Sequence, residues 1–209
     1  AEPRTVRAAT YFDCSRGLGA AAGRGWAEPR GGEARHVRSG GVPCWRLGPK
    51  TGLIARVPFQ KNGGGSALNC YTITLFARFA EEPPDDGLSL VSNVGFASFL
   101  PKADGDTDAQ AVLAENGAIA PVIGEEGAGP QALGADTEGP TVCAREWHSL
   151  AFVVDTNAGS ARTYVDGALS VEAQSTKIAR DGQFALRPRL ALFYQAMEDE
   201  GEGEEGDAD

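Results

Sequence analysis

Three aspartates alternate around a glycine in Asp104-Gly105-Asp106-Thr107-Asp108, which sets hard oxygen donors two residues apart on a pliant loop. Donors of that kind suit Ca2+, which gathers about six to eight oxygens in a flexible shell. Asp104, Asp106 and Asp108 are therefore candidate calcium ligands, with a polar surface loop as the alternative. The cysteines carry less chemistry. Cys14, Cys44, Cys70 and Cys143 are 30, 26 and 73 residues apart, form no C-x-x-C pair, and have only His36 and His148 to complete a metal site. Structural zinc needs closer ligand spacing. Two disulfides with three connectivities are open to the chain, but only in an oxidising compartment. No G-x-S-x-G, no P-loop and no Cys/His nucleophile context is present. Trp26 and Trp45 are candidate ligand contacts, because an indole offers a large rigid apolar face; burial in the core is the alternative for Trp26, alone in a Gly-rich stretch.

Charge has to be divided along the chain. Residues 198–209 hold eight acidic side chains and no basic one, which leaves −2 of the net −10 on the rest. Residues 1–50 carry nine Lys/Arg against four Asp/Glu. Those cations stand singly among Gly and Ala, without aromatic interleaving. They read as a solvated face that can meet the acidic tail, and no nucleic-acid surface is expected. No run of 18 apolar residues exists, so no membrane span is expected.

The elements that would position these residues read as strands. With 28 Gly, 12 Pro and 42% apolar residues, the chain suits a turn-rich sheet protein with a real core. Residues 150–154 form an apolar run of strand length, and the turn formers at 155–160 follow. Residues 162–165 alternate, and Asp166-Gly167 is a hairpin turn signal. In 70–79, Tyr71, Ile73, Leu75, Ala77 and Phe79 share one face, with Thr72, Thr74 and Arg78 on the other. Further strands are expected at 11–14, 44–47, 53–59, 88–94, 96–100, 111–114, 119–123, 184–186 and 190–194. Residues 16–32 read as a loop, or a short helix over 18–22; 62–66 as a flexible connector; Asn116-Gly117 as a type I′ turn; and 124–140 as a Gly/Pro/acidic loop. Trp147, Phe152 and Tyr164 are expected in or beside the core.

The pattern Trp147-His148-x-Leu150-Ala151-Phe152-Val153-Val154-Asp155, a turn, then Arg162-x-Tyr164-Val165-Asp166-Gly167, resembles the hallmark of the laminin-G-like, concanavalin-A-like jelly-roll superfamily. The strand from Tyr71 to Phe79 is similar to the "F-T-I-S-A-W-V" strand of the same domains, in the right order. The resemblance implies an all-β fold, an antiparallel two-sheet jelly-roll sandwich over 1–197, with 198–209 as an acidic tail or linker. It implies a structural role for His148. It also implies a rim calcium of the kind that Asp104, Asp106 and Asp108 could hold. Hydrolases of the superfamily carry an E-x-D-x-x-E or E-x-D-x-E strand, whose retaining carboxylates must lie about 5 Å apart. The nearest match, Glu205-Gly206-Asp207-Ala208-Asp209, lies in low-complexity sequence, so no enzyme is expected. These domains also usually close with a further strand that the acidic tract cannot form, which points to excision from a larger multidomain chain. The expected function is a non-catalytic recognition module binding glycan or protein through rim loops. The alternative is a structural or interaction domain without a small ligand, and a glycoside hydrolase is a distant third.

Overall fold

The computed structural model describes residues 11–12, 21–22, 26–30, 32–48, 51–56, 61–81, 88–93, 109–113, 116–125, 129–134, 138–187 and 189–193. Among these residues every regular element is a strand: β1 (Tyr11–Phe12), β2 (Ala21–Ala22), β3 (Trp26–Arg30), β4 (Ala34–Ser39), β5 (Val42–Leu47), β6 (Gly52–Arg56), β7 (Cys70–Arg78) and β8 (Leu88–Asn93), then β9 (Ala109–Leu113), β10 (Ile119–Glu125), β11 (Gly129–Ala132), β12 (Trp147–Asp155), β13 (Ser160–Val165), β14 (Ala168–Gln174) and β15 (Arg189–Leu192). All pairings between these strands are antiparallel.

Four strands form one sheet in the order β14-β13-β12-β7, and seven form a second in the order β11-β10-β9-β8-β15-β6-β3. Their inward residues meet in one apolar cluster. Leu150, Phe152, Val154, Ala161 and Val165 come from the smaller sheet, and Leu53, Leu90, Ile119, Ile123 and Leu190 from the larger. The arrangement is compatible with a β-sandwich. A buried hydrogen bond also crosses between the sheets, from Thr163 Oγ1 to the carbonyl of Ile119 at 2.5 Å, which satisfies a hydroxyl that the core would otherwise strand.

The smaller sheet follows the expected alternation. Along β12, His148, Leu150, Phe152 and Val154 are buried while the residues between them are half-buried or exposed. β7 pairs with β12 over nine residues, from Trp147↔Arg78 to Asp155↔Cys70, and Ile73, Leu75 and Ala77 face inward with them. Asp166 (φ 51°) and Gly167 (φ 83°) turn β13 into β14, as a two-residue hairpin with positive φ at both positions requires. The carboxylate of Asp166 does more than turn the chain. It accepts from the Ser149 amide and from His148 Nδ1, both at 2.8 Å, and these bonds, the amide first, hold its ionisation below the ordinary aspartate value. His148 is buried, with Nε2 3.1 Å from the Cys143 amide nitrogen and 3.2 Å from the Cys143 carbonyl oxygen.

Several expectations are corrected. Trp147 and Tyr164 are half-buried on the outward side of the smaller sheet, and only Phe152 of the three lies in the core. Residues 34–39 form a strand, paired with β5 through the two-residue loop Gly40-Gly41. Trp26–Arg30 lies in the stretch read as loop or helix, yet it forms the edge strand β3, where the exposed Pro29 costs no central ladder bond. Ala21–Ala22 pairs with Tyr11–Phe12 as a strand, outside any helix. The expected hairpin over 111–123 is present, with Leu113 paired to Ile119, so the connection between β9 and β10 is longer than two residues. Gly129–Ala132 pairs with β10 inside the stretch read as a loop. Residues 184–186 hold one isolated bridge, Leu186 to Leu68, where a strand was expected. No helix of the described residues is long and apolar enough to cross a membrane.

Candidate functional site

At the Cys70 end of the smaller sheet three segments converge: residues 61–69 before β7, the Thr156–Gly159 turn between β12 and β13, and residues 175–187 after β14. Residues 62–66, rich in glycine, have the composition of a flexible connector, but one buried side chain fixes their course. Asn69 is 0% exposed. Its Nδ2 donates to Asp181 Oδ1 at 3.0 Å and to the carbonyls of Asn62 and Ala67 at 3.3 Å. Its Oδ1 accepts from Thr156 Oγ1 at 2.9 Å and from the Asp181 amide at 2.8 Å. Its own carbonyl takes the Thr156 amide at 3.0 Å. One amide therefore ties all three segments together. Asn62 adds a second lock: its Oδ1 accepts from the amides of Asn69 and Cys70, and its Nδ2 donates to the Cys70 carbonyl.

Asp181, exposed and in the left-handed region (φ 55°), completes the network by accepting from the Ser66 and Ala67 amides at 2.8–2.9 Å. The Asn69 amide, with the backbone bonds behind it, lowers its pKa to about 2. The glycines are required here by space. A Cβ on Gly65 would strike the Asp181 carboxylate, and one on Gly63 (φ 70°) would sit 2.8 Å from Asn69 Cβ. The sign of the pH dependence follows. Asp181 has a folded pKa below its unfolded value near 3.8, so its contribution is present above pH 4 and lost as pH falls through about 2. Thermal melts of the native chain and of Asp181→Asn, recorded from pH 5 to pH 2, should show the native chain losing more stability between pH 4 and 2. Equal losses would detach Asp181 from the network.

Beside this network lies an open, shallow depression of about 730 Å³, lined by Thr156–Gly159, by Gln174, Ser175 and Thr176, and by Ile178, Ala179 and Arg180. Its polar edge is made of side chains with donors and acceptors to spare. Arg180 Nε donates to Asn157 Oδ1 at 3.0 Å, which orients the rest of the guanidinium. Asp155 is spent on the turn, its Oδ1 accepting from the amides of Asn157 and Ala158; this is the turn role its sequence position suggests. Tyr71 OH donates to the Phe184 carbonyl at 2.8 Å, which ties β7 to the segment after β14, and burial pushes its ionisation well above the ordinary tyrosine value.

The residues singled out in the sequence lie elsewhere. Trp45 sits on β5, half-buried, its ring 5.7 Å from that of His36 and tilted by 59°, with an indole nitrogen that finds no partner among the described residues. Trp26 opens β3 opposite Arg56 in the register. Asp104, Asp106 and Asp108 lie outside the described residues, as do Cys14 and the segment 198–209. Among the described residues no disulfide joins Cys44, Cys70 and Cys143 to one another. Sequence reasoning missed Asn62, Asn69, Asn157, Arg180 and Asp181. The one local hint was the position of Asn62 and Asn69 at either end of a glycine run that opens the longest alternating strand. No protein-family model matches the chain, and a search of curated proteins finds no match either.

Proposed function

We propose that this chain is a non-catalytic recognition module on a laminin-G-like jelly-roll sandwich, taking a glycan or protein ligand at the rim formed by residues 61–69, 156–159 and 175–183. The observation that carries the reading is the Asn69 network: three loops from distant parts of the sequence are held in one geometry by a buried, fully bonded amide. A surface ordered before its ligand arrives does not lose loop entropy on binding. The exposed groups it offers, the Arg180 guanidinium and the Thr176 hydroxyl, are those that recognise polar ligands. The two segments that carry the family resemblance support the reading too, since they lie side by side as β7 and β12. The described carboxylates with shifted ionisation, Asp166 and Asp181, are spent on structural hydrogen bonds, which supports a role without catalysis.

A glycan array probed with the full chain, repeated with Asn157→Ala and Arg180→Ala, tests the proposal. Binding should appear with the native chain and weaken about tenfold or more in Arg180→Ala, the loss of one charge-assisted hydrogen bond. Binding that survives both substitutions would place recognition elsewhere.

A second reading, a structural or interaction domain of a larger chain, has its own observation. On the outward side of the smaller sheet Phe76 is 61% exposed and stacks on Trp147, with ring centroids 4.9 Å apart and planes within 12°, while Leu169 is 45% exposed on β14. No glycan bound, together with an assembly lost in Phe76→Ser, would favour it.

A further inference from the structure

β7 is an edge strand: among the described residues it pairs with β12 and with no other strand. The direction of its backbone groups is fixed at both ends. The amide and carbonyl of Cys70 bond the Asn62 side chain, away from β12, while the Phe79 carbonyl accepts the amide of Arg145, just before β12. Neighbouring residues of a strand turn these groups to opposite sides, so Thr72, Thr74 and Phe76 present theirs to the open edge. Their side chains are exposed as well. The core is open on the same side. Ile73 and Leu75 stand opposite Phe152 and Leu150 and face the same apolar cluster, yet they are half-buried where those partners are buried. The far edge of the sheet is finished differently. There Ser170 Oγ donates to the Pro140 carbonyl, a Cβ on Gly139 would strike the Ser170 carbonyl, and Val171 and Ala173 of β14 are buried. Edge strands that stay single commonly carry a charge, a proline or a bulge. From Cys70 to Ala77, β7 carries none of these.

We propose that the open edge of β7 takes the same edge of a second copy of this chain, antiparallel, with a two-fold axis at Thr74. The free positions choose both partner and register. Asn62 ends them at Cys70, and the Arg78 side chain, bonded to Ser39 and to the Arg145 carbonyl, marks the other end. Thr72, Thr74 and Phe76 remain, symmetric about the middle one. Two copies then set Thr74 against Thr74 and Phe76 against Thr72, each pair exchanging its two backbone hydrogen bonds. Ile73 comes opposite Leu75 of the second copy, which covers the open side of both cores. On the outward face Thr72 of the second copy covers the exposed Phe76, an aromatic and β-branched pair. The charges agree. No like charges meet along the shared strands, and Arg78 of each copy comes to the Cys70 end of the other, where Asp155 Oδ1 lies 3.3 Å from Cys70 Sγ. A contact of this symmetry closes on itself, so assembly stops at two. It is independent of the ligand proposed for the rim.

Sedimentation velocity of the full chain tests the pairing, with thermal melts checking that each variant is folded. The native chain should pass from monomer to dimer below about 1 mM and go no further. The Thr74 side chain is exposed and its amide faces away from β12, so substitution there spares the fold. Thr74→Lys and Thr74→Glu, each alone, should weaken the dimer about tenfold, because like charges meet at the axis, and an equal mixture of the two should restore it. Hydrogen exchange of the native chain reads the same contact without substitution. The amides of Thr72, Thr74 and Phe76 should slow as the dimer forms, while those of Ile73 and Leu75 are slow throughout. A chain that stays monomeric, aggregates that grow beyond two, a dimer indifferent to both substitutions, a mixture no better than its components, or exchange at the three edge amides that ignores concentration would each overturn the proposal.

Discussion

Asn69→Ala should lower the stability of the chain by about 3–4 kcal/mol, the largest effect expected of any polar substitution in the rim. Alanine leaves the Asp181 amide, the Thr156 hydroxyl and the Asn62 carbonyl without the Asn69 side chain as partner, around a site that is 0% exposed. Each buried group so stranded costs about 1–3 kcal/mol, reduced where water can reach it. In a chain of this size that corresponds to a melting temperature lower by about 10 °C. Asn69→Asp makes a sharper comparison. It keeps an acceptor for Thr156 and the Asp181 amide but sets a second carboxylate 3.0 Å from Asp181 Oδ1. Its penalty should be greatest at neutral pH and shrink on acidification, as one of the two carboxylates takes a proton. A loss under 1 kcal/mol in Asn69→Ala would mean that the three loops hold their course without it.

Phe184→Ala should cost about 3–5 kcal/mol, the range for emptying a buried phenylalanine site. Phe184 is 0% exposed and the largest of the fully buried side chains, its ring 6.4 Å from that of Phe152. Its carbonyl holds the Tyr71 hydroxyl, so a collapse there reaches β7 as well. Trp147→Ala, by contrast, should cost about 1–2 kcal/mol, because the indole is half-buried on the outward face and covered by the exposed Phe76. Urea midpoints of the two variants decide between these placements; similar midpoints would put Trp147 in the core after all.

What could be read from the sequence was local. The β12–β13–β14 meander declares itself through an apolar run, an alternating run and Asp166-Gly167, all within neighbouring residues, and β7 through an unbroken alternation. The β4–β5 hairpin was hidden although Gly40-Gly41 marks its turn, because Arg35, His36, Arg38 and Arg46 break any apolar alternation in strands that bury little. β3 was hidden for a related reason: an edge strand tolerates Pro29 and needs no apolar stripe. The rim could not be read at all. Asn69 and Asp181 are 112 residues apart, and neither residue type says whether its partners are water or protein. The glycine run at 63–65 has the composition of a mobile linker, and only hydrogen bonds contributed from Asn69, Thr156 and Asp181 make it a fixed surface.

The central claim is that the rim exists in its binding geometry before any ligand arrives. Amide hydrogen exchange on the full chain without ligand tests it most directly. Ser66, Ala67, Asn69, Cys70, Thr156 and Asp181 each donate a backbone amide into the network. The account predicts that these six exchange about as slowly as the paired amides of β12, and that Asn69→Ala releases them together while leaving β12 protected. Exchange of Ser66, Ala67 and Asp181 at the rate of an unstructured loop in the native chain would contradict it.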